Sequence, residues 1–177
     1  PNGPWLVTGK HNYVLAKNCE VIALKLGDAL CAPILKFVPE GSIEPQTGHM
    51  TSPGTISLQQ ETFEAVLTDV AHSLKMHGFE NIIFIGDSGG NQGGQRNVAE
   101  KLNADWGSDA LVAHVQEYYD YGSVGNYMAG QGLVSGESDN LHDDPVITLN
   151  MMITDPNSVR YDERLEAGFA SINGVSI

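Results

Sequence analysis

The sequence predicts an α/β fold with a mainly parallel sheet, and three observations carry that reading. Apolar runs of strand length, at Ala29 to Val38, Ile82 to Ile85 and Ala110 to Val115, alternate with stretches of helical periodicity. No apolar run approaches the roughly 20 residues a membrane helix needs. The run at Ile82 leads directly through Gly86-Asp87-Ser88-Gly89-Gly90-Asn91 into a helical pattern. A strand, a tight turn and a helix in that order place a binding site beyond the carboxyl end of the strand.

Taken in order, Leu15, Cys19, Ile22 and Leu26 recur at helical spacing and predict a helix from Asn12 to Leu26, with Gly27 as its stop. Ala29 to Val38 is expected to be a buried strand, opening into a loop of Pro, Gly, Ser and Thr from Pro39 to Gly54. Ser57-Leu58-Gln59-Gln60 fits a capping box, and Phe63, Val66, Leu67, Val70, Ala71 and Leu74 then mark one helical face up to Gly78. Ile82 to Ile85 reads as a strand buried on both faces, followed after the turn by a helix from about Gln95 to Asn103. Ala110 to Val115 is a further strand, Glu117 to Gly136 an aromatic and glycine-rich stretch, and Pro145 to Ile153 a last helix with Pro145 in its first turn.

The 177 residues, 41% of them hydrophobic, suffice for one domain with a sizeable core. Acidic residues outnumber basic ones 22 to 9, a net charge of -13 that repels phosphate backbones and anionic lipid, so neither nucleic acid nor a membrane is an expected partner. Cys19 and Cys31 lie in apolar settings that favour buried thiols over a ligand pair, with a disulfide as the alternative. The compartment stays open between cytoplasmic and exported, for a soluble chain. The first residue is Pro1, and a processed or incomplete form is expected, lacking an N-terminal strand and a C-terminal segment.

Chemistry centres on the turn. Gly86-Asp87-Ser88-Gly89-Gly90 satisfies G-x-S-x-G, in which a serine on a sharp turn stands beside backbone donors able to hold an oxyanion. His142 as base, oriented by Asp139, Asp143 or Asp144, would complete a serine hydrolase. The plainer alternative is that the glycines permit the turn and Ser88 caps the next helix. His11, His49 and His142 lie at a helix start or in polar loops and are candidate ligands or bases, although a loop histidine is more often simply solvated. His72 and His77 read as surface residues, and His114 as a core or edge residue. Tyr118, Tyr119, Tyr121 and Tyr127 either wall a pocket or pack a loop or subunit interface.

These residues resemble the creatininase family of metal-dependent amidohydrolases. Asn2-Gly3-Pro4-Trp5-Leu6 through Gly9-Lys10-His11 is similar to the family's H-G-P-H-L-P-L-G-T-D, and His49 with Pro53-Gly54-Thr55-Ile56-Ser57-Leu58 to its E-H-x-x-F-P-G-T-I-S-L. His77-Gly78-Phe79 matches H-G-F, Gly86 to Asn91 resembles N-G-H-G-G-N, and His142-Asp143-Asp144 falls at H-A-G. The resemblance implies a three-layer α/β/α domain spanning 1–177, assembled as a homo-oligomer, usually a hexamer. It further implies hydrolysis of amide bonds in small or cyclic substrates by a divalent metal, zinc or manganese, that activates water.

The departures fall on the metal ligands. A first glutamate would precede Pro1, the next histidine is Asn2, the bridging aspartate is His11, the histidine of the glycine turn is Ser88, and a glutamate beyond H-A-G falls on Ile147; His142 carries over unchanged. Three readings follow. The site is rebuilt around one metal with His11 and Asp87 as ligands and His142 as acid/base; or Ser88 is the nucleophile with His142 as base; or the domain binds or assembles without catalysis. Under the enzymatic readings, the expected substrate contacts are Asn2, Trp5, His49, Gly89, Gly90, Asn91, Tyr118 and Tyr119.

Overall fold

The computed structural model describes residues 5–132, 145–166, 171–172 and 175–176. They fall into two compact units, one holding the described residues up to Lys36 and from Tyr121 onward, the other Phe37–Asp120. The structure mixes helices with a small parallel sheet, as an α/β fold requires.

The Phe37–Asp120 unit carries the sheet. Strands β1 (Asn81–Phe84) and β2 (Leu111–His114) pair in parallel, with Asn81 opposite Leu111 and Phe84 opposite His114. Helix α2 (Gln60–Met76) precedes β1, and α3 (Gly89–Trp106) makes the crossover between the strands. Ile82, Phe84 and Val112 point into the core, whereas Ile83 and Leu111 are each 52% exposed. The expectation of a strand buried on both faces is therefore corrected: β1 buries alternate residues, and among the described residues only one face of the pair is covered.

Helix α3 begins six residues before the predicted start. Gly89, Gly90, Gly93 and Gly94 mask it in the sequence, since each glycine costs a helix about 1 kcal/mol relative to alanine. Gly94 has a tertiary reason: a Cβ there would stand 2.6 Å from Gln60 Nε2 and 2.8 Å from Phe63 Cδ1, so α2 and α3 approach only because that side chain is missing. At its far end Trp106 is packed edge-on by His72, with ring centroids 5.1 Å apart, and capped by the Lys75 ammonium 4.7 Å from its ring.

Asn103 closes the outer edge of β2. Its Nδ2 donates to the Val112 carbonyl and its Oδ1 accepts from the Val112 N–H, both at 2.8 Å, so one amide side chain stands in for a neighbouring strand. Val112 is fully buried, and water cannot replace those bonds. Asn103→Ala is expected to lower unfolding stability by about 2 kcal/mol, the cost of two orphaned backbone groups; a urea midpoint unchanged from the parent would refute this.

Two expectations for the flanking segments give way. Ser57 is not the cap of α2: Gln59 holds that position without a side-chain bond, and the Ser57 hydroxyl instead accepts from Glu40 N at 2.9 Å and donates to Gly41 O at 2.8 Å. The capping-box pattern was competing with a loop that needed the same hydroxyl. Ala29 to Val38 forms no strand; it is irregular, with Leu30 78% exposed, because among the described residues no strand meets it and its backbone pairs with backbone only at Val38 O, which accepts from Leu58 N at 3.2 Å.

In the other unit, α1 (Lys10–Leu26) ends at Gly27 in the left-handed region, at φ 84°, as its sequence predicts. Its buried residues, however, are Lys10 and Val14, while Ile22 and Leu26 of the predicted apolar face are exposed. Val14 packs with Trp5, Leu6, Ile147, Met151 and Val159. Helix α4 (Tyr121–Gly130) occupies the glycine-rich stretch for which no element is predicted, α5 (Pro145–Thr154) matches its prediction, and α6 (Tyr161–Glu166) follows. Leu6 bridges Val159 in antiparallel sense, Arg160 N donates to Trp5 O at 2.9 Å, and the Trp5 indole N–H reaches Thr148 Oγ1 at 3.3 Å. A two-residue antiparallel pair, β3 (Ser171–Ile172) with β4 (Val175–Ser176), closes the described chain. No helix of the described residues is long and apolar enough to cross a membrane.

The cysteines correct a further expectation. Cys19 and Cys31 are not separate buried thiols but a disulfide, with Cα atoms 5.6 Å apart, joining α1 to the irregular segment beyond Gly27. Cys31 is exposed and Cys19 half-buried, so the apolar neighbours that suggested a core position do not enclose them.

Candidate active site

The glycine turn stands where the sequence places it, beyond the carboxyl end of β1 and opening α3. Ser88 is extended, at φ -149° and ψ 141°, and its Oγ accepts from Gly90 N at 3.3 Å. It is the N-cap of α3, and among the described residues no histidine bonds to that hydroxyl. Asp87 is buried beside it, at 7% exposure, and Asn91 at 6%.

Gln92, which the sequence reading passes over, ties the turn together. Its Nε2 lies 2.9 Å from the carbonyls of both Gly86 and Ser88 and 3.1 Å from Asn91 Oδ1. Those acceptors fix the amide, so Gln92 Oε1 is the atom facing His114 Nε2 at 2.9 Å, and that nitrogen must carry the hydrogen. Gln95 sits beneath, donating from Nε2 to Ile85 O at 3.2 Å, and its buried Oε1 finds no partner among the described residues. The one available signal was the polar pair itself: two glutamines three apart on an otherwise core-facing helix side.

Burial is the main cause that lowers the pKa of His114, with the Arg96 charge adding to it and Glu117 opposing. The native state thus favours the neutral ring. Stability from this group is full above about pH 6.5, the ordinary histidine value, and is lost as pH falls through the lowered native value, because the unfolded chain takes up the proton first. Between pH 7.5 and 5.5 the parent is expected to lose more unfolding stability than His114→Gln; equal losses would remove His114 as the cause.

Two flanks close on the turn. A Cβ at Gly90 would collide with the Pro39 carbonyl oxygen, so the loop from Phe37 crosses the first turn of α3 in direct contact. At Gly89 a Cβ would lie 3.5 Å from the Tyr119 hydroxyl, which puts Tyr119 beside the turn. His49 belongs to that loop, with Nδ1 2.5 Å from Glu40 Oε2. Tyr118 is half-buried next to Tyr119.

The remaining predicted residues divide by place. Trp5 is a core residue, 1% exposed, and His11 lies in the first turn of α1; both belong to the other unit. Asn2 and His142 lie outside the described residues. No three His, Cys, Asp or Glu side chains converge among the described residues. At the turn itself, Asp87 is the one strong donor type, and a serine hydroxyl already engaged as a cap does not complete a zinc or manganese set. The described residues therefore do not fit the metal centre that the sequence resemblance implies. A separate cleft of about 380 Å³ between α2 and α3, lined by Glu61, Glu64, Thr68, Asp69, Asn97 and Lys101, contains no residue of the turn.

A parallel strand delivering a glycine turn onto a helix N-terminus defines an α/β protein, with the candidate site at the strand's carboxyl end. The chain belongs to the creatininase family: the family profile described as creatinine amidohydrolase matches residues 1–173. Membership points to amidohydrolase-type activity, typically metal-dependent. Searches of curated proteins and of solved structures return no match.

Proposed function

We propose that the chain hydrolyses an amide bond in a small or cyclic substrate seated at the Gly86–Asn91 turn, as one creatininase-like domain in a homo-oligomer. The observation that supports it is the turn: exposed Gly89 and Gly90 open α3 directly after β1, within a chain matched to an amidohydrolase family over residues 1–173. With the Gly90 and Asn91 N–H groups given to Ser88, the Gly89 N–H at the helix start is the one that suits the oxygen of a carbonyl under attack. Ser88 is read as the cap that shapes this turn, since its lone pair already receives Gly90 N.

A non-catalytic binding role is the competing reading, favoured by a specific fact. A Cβ at Gly86 would stand 2.7 Å from Asn91 Oδ1 and Gln95 Nε2, so packing alone explains that glycine, as contact with Pro39 explains Gly90. A panel of small amides and lactams, offered to metal-supplemented and to chelator-treated protein, separates the two. Turnover of any member under either condition is expected; none under both would sink the hydrolase. Light scattering that finds only monomer would remove the oligomer.

A further inference from the structure

We infer that copies of this chain join head to tail, the C-terminal end of α1 on one copy seating in the cleft between α2 and α3 of the next. The inference deepens the homo-oligomer proposed above and rests on it.

The first half of the contact is a helix face that the sequence builds and the chain leaves open. Cys19, Ile22 and Leu26 follow one another at intervals of three and four residues, so they share one side of α1. Ile22 is 41% and Leu26 56% exposed. The Cys19–Cys31 bond brings Leu30, the neighbour of Cys31, to the same helix, and Leu30 is exposed as well. Three large aliphatic side chains gathered in this way form a patch of the kind that another chain covers. Lys25, three residues after Ile22, stands at its rim. It is exposed and makes no ion pair among the described residues.

The second half lies in the Phe37–Asp120 unit and has the opposite charge. The cleft of about 380 Å³ between α2 and α3 has Ala65 and Val98 in its lining, with the exposed carboxylates of Glu61 and Asp69 beside them. Neither carboxylate is ion-paired among the described residues. Lys101 is the cleft's one cation against Glu61, Glu64 and Asp69. An apolar helix end rimmed by a lysine thus matches an apolar lining rimmed by acids.

Charge singles out this pairing over its alternatives. Helix α1 holds Lys10, Lys17 and Lys25 against the single acid Glu20, in a chain of net charge -13. Most faces of two such chains repel each other, and contact is favoured where the basic helix of one meets the acids of the other. Two α1 ends laid together would set lysine against lysine and leave Glu61 and Asp69 without a cation. Because the two surfaces differ, the contact is heterologous and repeats from copy to copy, closing into a ring where the rotation allows.

Sedimentation velocity over a concentration series tests this, on the parent and on variants at exposed positions whose folding is checked by circular dichroism. The parent is expected to associate. Lys25→Glu and Leu26→Ser are each expected to raise the dissociation constant about tenfold or more. The double variant Glu61→Lys, Asp69→Lys is expected to do the same, although turning two acids into two bases brings the net charge from -13 to -9. General charge repulsion would make that variant associate more tightly. Lys25→Glu protein mixed with the double variant is expected to regain the parent's association, because each acidic α1 then meets a basic cleft and each native α1 a native cleft. A parent oligomer that persists unchanged in the cleft variant, or a mixture that regains nothing, overturns the proposed surface and leaves the homo-oligomer standing. A parent that is monomeric at every concentration overturns both.

Discussion

Gln92→Glu is expected to unfold the glycine turn at a cost of about 3 kcal/mol, although it changes a single NH₂ group to oxygen. In the parent, Gln92 Nε2 answers the buried Gly86 carbonyl and the half-buried Ser88 carbonyl, at 2.9 Å each. A carboxylate in the same rotamer would set an anion against two acceptors. The Ser88 carbonyl keeps Asn91 N at 3.4 Å, but the Gly86 carbonyl left without this donor costs about 1–3 kcal/mol, and a charge brought to a site only 9% exposed adds to that. Gln92→Leu removes the donor without adding charge and is expected to lose somewhat less. Chemical denaturation of the three proteins decides it: if the glutamate variant stays within 0.5 kcal/mol of the parent, Gln92 fills space and does not hold the turn. Because Gln92 Oε1 also holds His114, the acid-side loss of stability predicted for His114 should change in both variants. No such coupling is expected for Asn103→Ala, which acts on Val112 alone.

What the sequence made legible follows from range. Patterns that act within a few residues survived: the Gly27 stop of α1, the helix of Pro145, and the strand, turn and helix of Ile82 to Leu102. What failed depended on partners far along the chain. Ser57 sits in a good local capping pattern but serves Glu40 and Gly41, 17 and 16 residues away. Ala29 to Val38 has strand composition, yet a strand exists only where another strand meets it. The start of α3 was hidden because its glycines oppose helix locally, and two of them, Gly90 and Gly94, are justified only by the distant Pro39 and Phe63.

The candidate site divides in the same way. The turn was identifiable from Gly86 to Asn91, since strand, glycines and helix are contiguous in sequence. Gln92 was not, because a glutamine has no motif value until the carbonyls it faces are known. Glu40 was missed for a related reason: nothing in Pro39-Glu40-Gly41 points to His49 until the loop folds back. The family resemblance supplied the neighbourhood, and the long-range hydrogen bonds supply the residues that organise it.

Opening the Cys19–Cys31 disulfide is expected to cost about 3 kcal/mol, an effect as large as that of the turn. The bond closes a loop between residues 12 apart in sequence, and in the chain-entropy treatment a loop of that length restricts the unfolded ensemble by about 3 kcal/mol. The native side offers little compensation when it is cut. Among the described residues, no backbone–backbone hydrogen bond anchors 28–36, and Leu30 within it and Phe37 just beyond it are 78% and 51% exposed. Reduction should therefore release that segment selectively, and trypsin should cut at Lys36 well before it cuts within α2 or α3. Reductant can reach the bond because Cys31 is exposed. The Cys19→Ser, Cys31→Ser double variant should match the reduced parent in denaturation midpoint and in cleavage order. Were both to unfold at the midpoint of the oxidised chain, the link would be energetically idle, and the segment beyond Gly27 would have to be held by contacts other than the covalent one.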